Sequence, residues 1–222
     1  MKILITIVTI IIASSTHAQE LELIKSELTS KGSDIYEESI EDYIQSEFWG
    51  IWTMPIGSAS SSSCLQPQGD LQYSVNNLCD YDLTTAWVEG SKDYGIGETI
   101  SFIFNFPDNT EFAGAYQFYG QINLFNGYCK NLKTWEENSR IKSLKVYYNE
   151  KPVCIVELID TWHFQYFNIG KFFKNRREQK YLDAEFEITE GDKLSFEILE
   201  VYPGTKYKDV ALSEFMAEGA GN

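Results

Sequence analysis

The stretch Asn77–Glu89, NLCDYDLTTAWVE, organises the reading of the whole chain. Two acidic side chains at alternate positions, Asp80 and Asp82, precede the adjacent threonines Thr84 and Thr85, then Ala86 and Trp87. Carboxylates, hydroxyls and free carbonyls in one short turn supply the oxygens that a hard cation prefers. A tryptophan just after such a turn anchors it to an apolar core. The same residues also suit an Asx-rich turn that bonds its own backbone and leads into a strand. A motif of this kind needs context to choose between the two.

Downstream of this turn the chain reads as strand after strand. Thr99–Phe106 (TISFIFNF) alternates, placing Ile100, Phe102, Phe104 and Phe106 on one face, and Pro107-Asp108-Asn109 ends it. Tyr116–Phe125 is rich in strand formers and closes on the turn signal Asn126-Gly127. Ile141–Tyr148 turns Leu144, Val146 and Tyr148 inward; Asn149-Glu150-Lys151-Pro152 then leads into Val153–Ile159, which predicts an antiparallel hairpin. His163–Ile169, Leu182–Ile188, Lys193–Val201 and Val210–Phe215 read as further strands, with Glu190-Gly191-Asp192 as a tight turn. Gly57–Ser63 reads as a small, polar turn before the first strand. About eight strands and no long helix after Gly50 predict an all-β, antiparallel two-sheet sandwich rather than any βαβ arrangement.

The segments before this domain differ in character. Residues 1–18 carry Lys2, the apolar run Ile3–Ala13 and then Thr16-His17-Ala18, the form of a secretion signal. The apolar run is too short for a comfortable membrane span, and no later segment approaches one. Residues 19–50 are acidic and read as one or two short helices, with Leu21, Ile24 and Leu28, then Ile40, Tyr43 and Ile44, at helical spacing, and Asp34 as a cap. A solvated leader with no specific role fits the same residues. Trp49 and Trp52 read as packing this leader onto the domain at 51–222.

The 222-residue chain carries a net charge of −15. Such a surface repels phosphate backbones and anionic lipids, which makes nucleic acid a poor partner, and is compatible with Ca²⁺ and with neutral sugars. Aromatic residues make up 15% of the chain, enough for a β core with some rings left for a ligand. The four cysteines Cys64, Cys79, Cys129 and Cys154 are even in number in a chain read as exported, which favours disulfides. Of the possible pairings, Cys64–Cys79 and Cys129–Cys154 close short loops around neighbouring strands. No C-x-x-C spacing supports zinc.

Catalytic signals are weak. His17 leaves with the signal, so a nucleophile-base pair has only His163, in the strand-like WHFQYF. Paired carboxylates of a glycosidase type are not excluded by count. Gly95-Ile96-Gly97 is too short for a dinucleotide fingerprint and opens a strand, not a helix.

The blocks TAWVEG (Thr85–Gly90), GIGE (Gly95–Glu98), NGYCK (Asn126–Lys130), NSRIKSLKVYYN (Asn138–Asn149) and EVYPGTKYKDVALSEF (Glu200–Phe215) occur in that order. Together they resemble discoidin-type, galactose-binding-like domains, and more closely the NADase-type glycan-binding domain of secreted bacterial proteins. The resemblance covers roughly residues 57–216. It implies a discoidin-like jelly roll and one structural Ca²⁺ site, with Asp80, Asp82 and Thr85 from the early turn and Glu214 from the last strand. Tyr81 stands where such turns usually have glycine, so the backbone must avoid positive φ or accept strain.

The same resemblance points to Asn126, Tyr128, Lys130, Trp135, Asn138 and Arg140 as glycan contacts. An aromatic ring would stack on the sugar, and planar polar groups would meet its hydroxyls. Trp162, beside Asp160 and His163, forms a second aromatic-polar candidate. Each also has a structural reading: Asn126-Gly127 as a plain turn, Asn138 bonding its own loop, Arg140 pairing with acids. The expected function is a secreted, non-catalytic carbohydrate-binding module recognising a glycan or glycoconjugate. A protein-recognition module on the same scaffold is the alternative, and a cryptic hydrolase stands behind it.

Overall fold

The computed structural model describes residues 20–28, 52–53, 56–105, 117–175 and 179–220. The readings of a signal at 1–18, of helices across 29–50, of Phe106 and its following turn, and of Trp49 lie outside them.

Alternation along the strands builds the core. In β6 (Thr99–Phe104) Ile100, Phe102 and Phe104 are buried; in β8 (Arg140–Tyr148) Leu144, Val146 and Tyr148 are; in β11 (Lys193–Tyr202) Leu194, Phe196 and Ile198 are. With β1 (Leu23–Lys25), β4 (Ile56–Ser61) and β9 (Lys151–Glu157) these strands form a six-stranded sheet of order β1-β9-β8-β11-β6-β4. The facing sheet takes β2 (Glu27–Leu28), β3 (Trp52–Thr53), β7 (Gln117–Asn126), β10 (Gln165–Asn168) and β12 (Ala211–Ala220), in the order β2-β10-β7-β12-β3. The short β5 (Trp87–Val88) pairs with β12. Among the described strands the pairings are antiparallel except β1 on β9. The fold is the expected all-β, discoidin-like sandwich.

Phenylalanines from both sheets meet in the middle. Phe102 stacks on Phe215 at 5.4 Å between centroids, and Phe196 meets Phe215 edge-on at 4.8 Å. Such pairs add to the burial of large apolar rings. The β8–β9 hairpin turns on Asn149 and Glu150, both at positive φ (45° and 68°), as the twist of a two-residue hairpin requires.

Four expectations need correction. The leader is strand, not helix, over its described part. Residues 23–28 cross from one sheet to the other: β1 lies on the edge of β9 and β2 on the edge of β10. Both edges present unpaired backbone groups, and Ser26 at the crossover is buried, donating its N–H to Glu157 O at 2.9 Å and its hydroxyl to Gln165 Oε1 at 2.7 Å. Ladder bonding therefore outweighs helical spacing, and Leu23 and Leu28 remain about half exposed. Trp52–Thr53 and Ile56–Ser61 pair with β12 and β6 in the same way, so Gly57–Ser61 is strand rather than turn.

Leu182–Ile188 is not a strand. Phe186 is buried in the core and makes an isolated bridge to Phe173, and Ile188 packs against the same core. Lastly, none of the four cysteines forms a disulfide. Cys154 packs in the main core and Cys129 in a separate cluster with Phe125, Phe164 and Met216, so the predicted Cys129–Cys154 bridge is absent, as is Cys64–Cys79. Among the described residues no helix is long and apolar enough to cross a membrane.

Candidate functional site

The acidic turn follows a 3₁₀ helix, Val75–Cys79, capped by the Ser74 hydroxyl. Tyr81 takes φ 59°, so the turn accepts the left-handed conformation without glycine. Each aspartate braces it as an Asx turn. Asp80 accepts from the Asp82 N–H at 3.0 Å and the Thr85 hydroxyl at 2.7 Å; Asp82 accepts from the Thr84 N–H at 2.8 Å and its hydroxyl at 2.6 Å. Trp87 then plunges into the core with no exposed surface, its indole N–H donating to Ser63 O at 3.1 Å.

Glu214 of β12 faces this turn. Its side chain is fully buried, and neither carboxyl oxygen has a hydrogen-bond partner of normal geometry. Burial, reinforced by the negative charge of Asp80, pushes its pKa up to about 9 against the opposing N–H groups of Asp82 and Tyr81. A carboxyl so placed needs either a proton or a cation. The donor set suits a hard cation: Asp80 and Glu214 would hold it, with carbonyl oxygens of the turn, while Asp82 and Thr85 shape the loop. Among the described residues no three His, Cys, Asp or Glu side chains gather as a group that could hold a metal ion. The nearby Cys79 thiol donates to Phe215 O at 3.4 Å, and burial, then Glu214 and Asp80, push its pKa up to about 12. Both effects favour the neutral thiol.

Of the six residues assigned to a glycan, Asn126, Trp135, Asn138 and Arg140 are linked to one another directly or through the helix Leu132–Glu137, and most of their polar atoms hold the chain in shape. Asn126 is buried and bonds both backbone groups of Ile141, at 2.7 and 3.0 Å. Tyr128 is buried and donates its hydroxyl to Thr84 O at 3.1 Å. Asn138 donates to Thr134 O at 2.8 Å, closing the short helix Leu132–Glu137, whose other end is capped by Asn131. Arg140 is buried, forks onto Asp160 at 2.7 and 3.1 Å, and donates to the carbonyls of Trp135 and Asn138. Its guanidinium lies 4.1 Å from the centre of the Trp135 ring.

Trp135 itself is half-buried, with its indole N–H fixed to Asn126 O at 2.8 Å. Gly127, at φ 102°, is required here: a Cβ on it would sit 2.6 Å from the Trp135 ring. Lys130 is exposed, as is Asp160, and Trp162 is half-exposed beside His163 at 5.8 Å between rings. The Arg140–Asp160 pair thus ties Trp135 to the segment that carries Trp162.

Two contributors escaped sequence reading. Ser213, fully buried, donates to Thr85 O at 3.0 Å and accepts from the Cys129 N–H at 3.0 Å. Glu89, also fully buried, accepts from the N–H groups of Ser91 and Val210, tying the loop after β5 to the start of β12. Both stood inside recognised blocks, but nothing local marks a serine or glutamate as a bridge between distant segments.

Comparison with solved structures finds the CBM32-1 and CBM32-2 domains of Clostridium perfringens ZmpB, 14% identical, with 91% of this chain and 42% of that chain covered and a TM-score of 0.49. The same two domains with the M60 catalytic domain match at 12% identity, covering 92% and 17%, with a TM-score of 0.49. A two-domain protein of unknown function from Bacteroides fragilis matches at 14% identity, covering 72% and 41%, with a TM-score of 0.41. This chain spans less than half the length of each. No curated protein matches it. The sequence profile described as the NAD glycohydrolase translocation F5/8 type C domain matches residues 53–218, most of the chain, and the protein belongs to that family.

Proposed function

We propose that this protein is a secreted, non-catalytic recognition module that binds a glycan at the Trp135–Trp162 end of the sandwich, with a structural Ca²⁺ at the Asp80–Glu214 turn. The observation that carries the reading is the locked aromatic end. Trp135 is held by Asn126 and Arg140, and Arg140 by Asp160, so the surface is organised before any ligand arrives. Half-exposed rings beside an exposed carboxylate and an exposed lysine are what sugar C–H faces and hydroxyls require. Contacts then fall to Lys130, Trp135, Asp160 and Trp162, while Asn126, Tyr128, Asn138 and Arg140 support them. Membership of a family named for an F5/8 type C domain supports a recognition role on this scaffold.

A glycan array probed with the full protein after signal removal, with CaCl₂ and with chelator, tests this. A defined hit lost in Trp162→Ala and weakened in Lys130→Ala, with unchanged thermal unfolding, supports it. A blank array from folded protein overturns glycan recognition and leaves a protein ligand as the reading.

A further inference from the structure

The acidic turn and the loop Asn126–Lys130 are more than forty residues apart in sequence, yet they are bonded at consecutive positions. Thr84 O accepts from the Tyr128 hydroxyl at 3.1 Å. Thr85 O accepts from the Ser213 hydroxyl at 3.0 Å, and that same hydroxyl accepts from the Cys129 N–H at 3.0 Å. Leu83, from the same turn, packs against the cluster of Phe125, Cys129, Phe164 and Met216, which also receives Trp135. The residue after Ser213 is Glu214, whose unpartnered carboxyl is aimed into the turn.

We propose that a cation at the Asp80–Glu214 turn sets the geometry of the Asn126–Lys130 loop through Tyr128 and Ser213, making Tyr128 a positioning residue rather than a ligand contact. This rests on the cation reading given above. The physical route is short. Asp80 and Glu214 would hold the ion, whose charge would offset theirs and so favour one arrangement of the turn that carries the Thr84 and Thr85 carbonyls. Those carbonyls are the acceptors that hold Tyr128 and, by way of Ser213, the backbone of Cys129. Gly127, one residue before Tyr128, seats the Trp135 ring. Ordering the turn therefore orders the loop that supports the aromatic end, and the two sites are linked in free energy.

The Cys129 amide is the reporter. Amide exchange is followed by NMR on the whole ¹⁵N-labelled protein in CaCl₂ and in chelator. CaCl₂ is expected to slow the Thr85 amide, which donates to Asp82 O, and the Cys129 amide, each by about tenfold or more. In Tyr128→Phe the Thr85 response persists while the Cys129 response shrinks several-fold. Ser213→Ala, a second variant, removes the acceptor of the Cys129 amide and so breaks its calcium response but not that of Thr85. Slowing at Thr85 with no change at Cys129 in the unmodified protein overturns the coupling and leaves the cation site standing. No calcium effect at either amide overturns the cation reading, and the coupling with it. An undiminished Cys129 response in Tyr128→Phe refutes the assigned role of Tyr128.

Discussion

The guanidinium of Arg140 lies 4.1 Å from the centre of the Trp135 ring while forking onto the carboxylate of Asp160. One buried cation thus positions an aromatic ring and an acid from separate loops. Replacing it with lysine keeps a charge but loses the planar fork and the stack. Arg140→Lys is expected to cost about 2 kcal/mol in urea unfolding, discounted for the partly exposed Asp160, and to broaden the tryptophan emission. An unchanged midpoint would show that the stack is incidental.

Glu214 is expected to govern any response to calcium. The thermal midpoint of the native protein should rise on adding CaCl₂ and return with chelator, since a ligand bound only by the folded state stabilises it. Glu214→Gln keeps shape and burial and removes the charge, so its midpoint should not move with CaCl₂. An equal calcium shift in both proteins would place the ion elsewhere.

Asp192 provides an acid-sensitive brace at the far end of the β8–β9 hairpin. Burial raises its pKa, but hydrogen bonds from Tyr148, Asn149 and Thr189 outweigh that and hold the carboxyl below its ordinary value. A depressed folded-state pKa contributes stability above the unfolded value of 3.8 that is lost as pH falls through the folded one. Asp192→Asn should lose about 1–2 kcal/mol at pH 7 and narrow its gap to the native protein below pH 3.8. A gap that is constant with pH would exclude the carboxylate as its source.

The four cysteines should behave as reduced thiols. Thiol titration after unfolding without reductant is expected to count four, and reductant should leave the thermal midpoint unchanged. In the folded state Cys129 and Cys154 should react only on the timescale of opening, because both are buried and burial pushes the Cys154 pKa up to about 12. Intact-mass evidence for a disulfide within one chain would contradict the structure.

The sandwich and its inward faces were legible because alternation is a local, period-two property: Ile100, Phe102 and Phe104 point one way wherever the strand pairs. The acidic turn was legible too, since Asp80 and Asp82 bond within their own few residues, and Trp87 anchors them as expected. The leader misled because helical spacing at Leu21, Ile24 and Leu28 says nothing of two vacant sheet edges far along the chain. Cysteine parity misled because pairing depends on where strands carry the thiols, and Cys129 and Cys154 are carried into different clusters.

For the site, sequence alone picked out Asn126, Trp135 and Arg140, which the strands then bring into contact. Only the tertiary structure decided what those residues do. Asn126, Asn138 and Arg140 carry the chemistry of ligand contacts, but a loop that leaves a strand must first satisfy its own backbone groups, and these side chains satisfy them. That demand is set by neighbours distant in sequence, which no local pattern records.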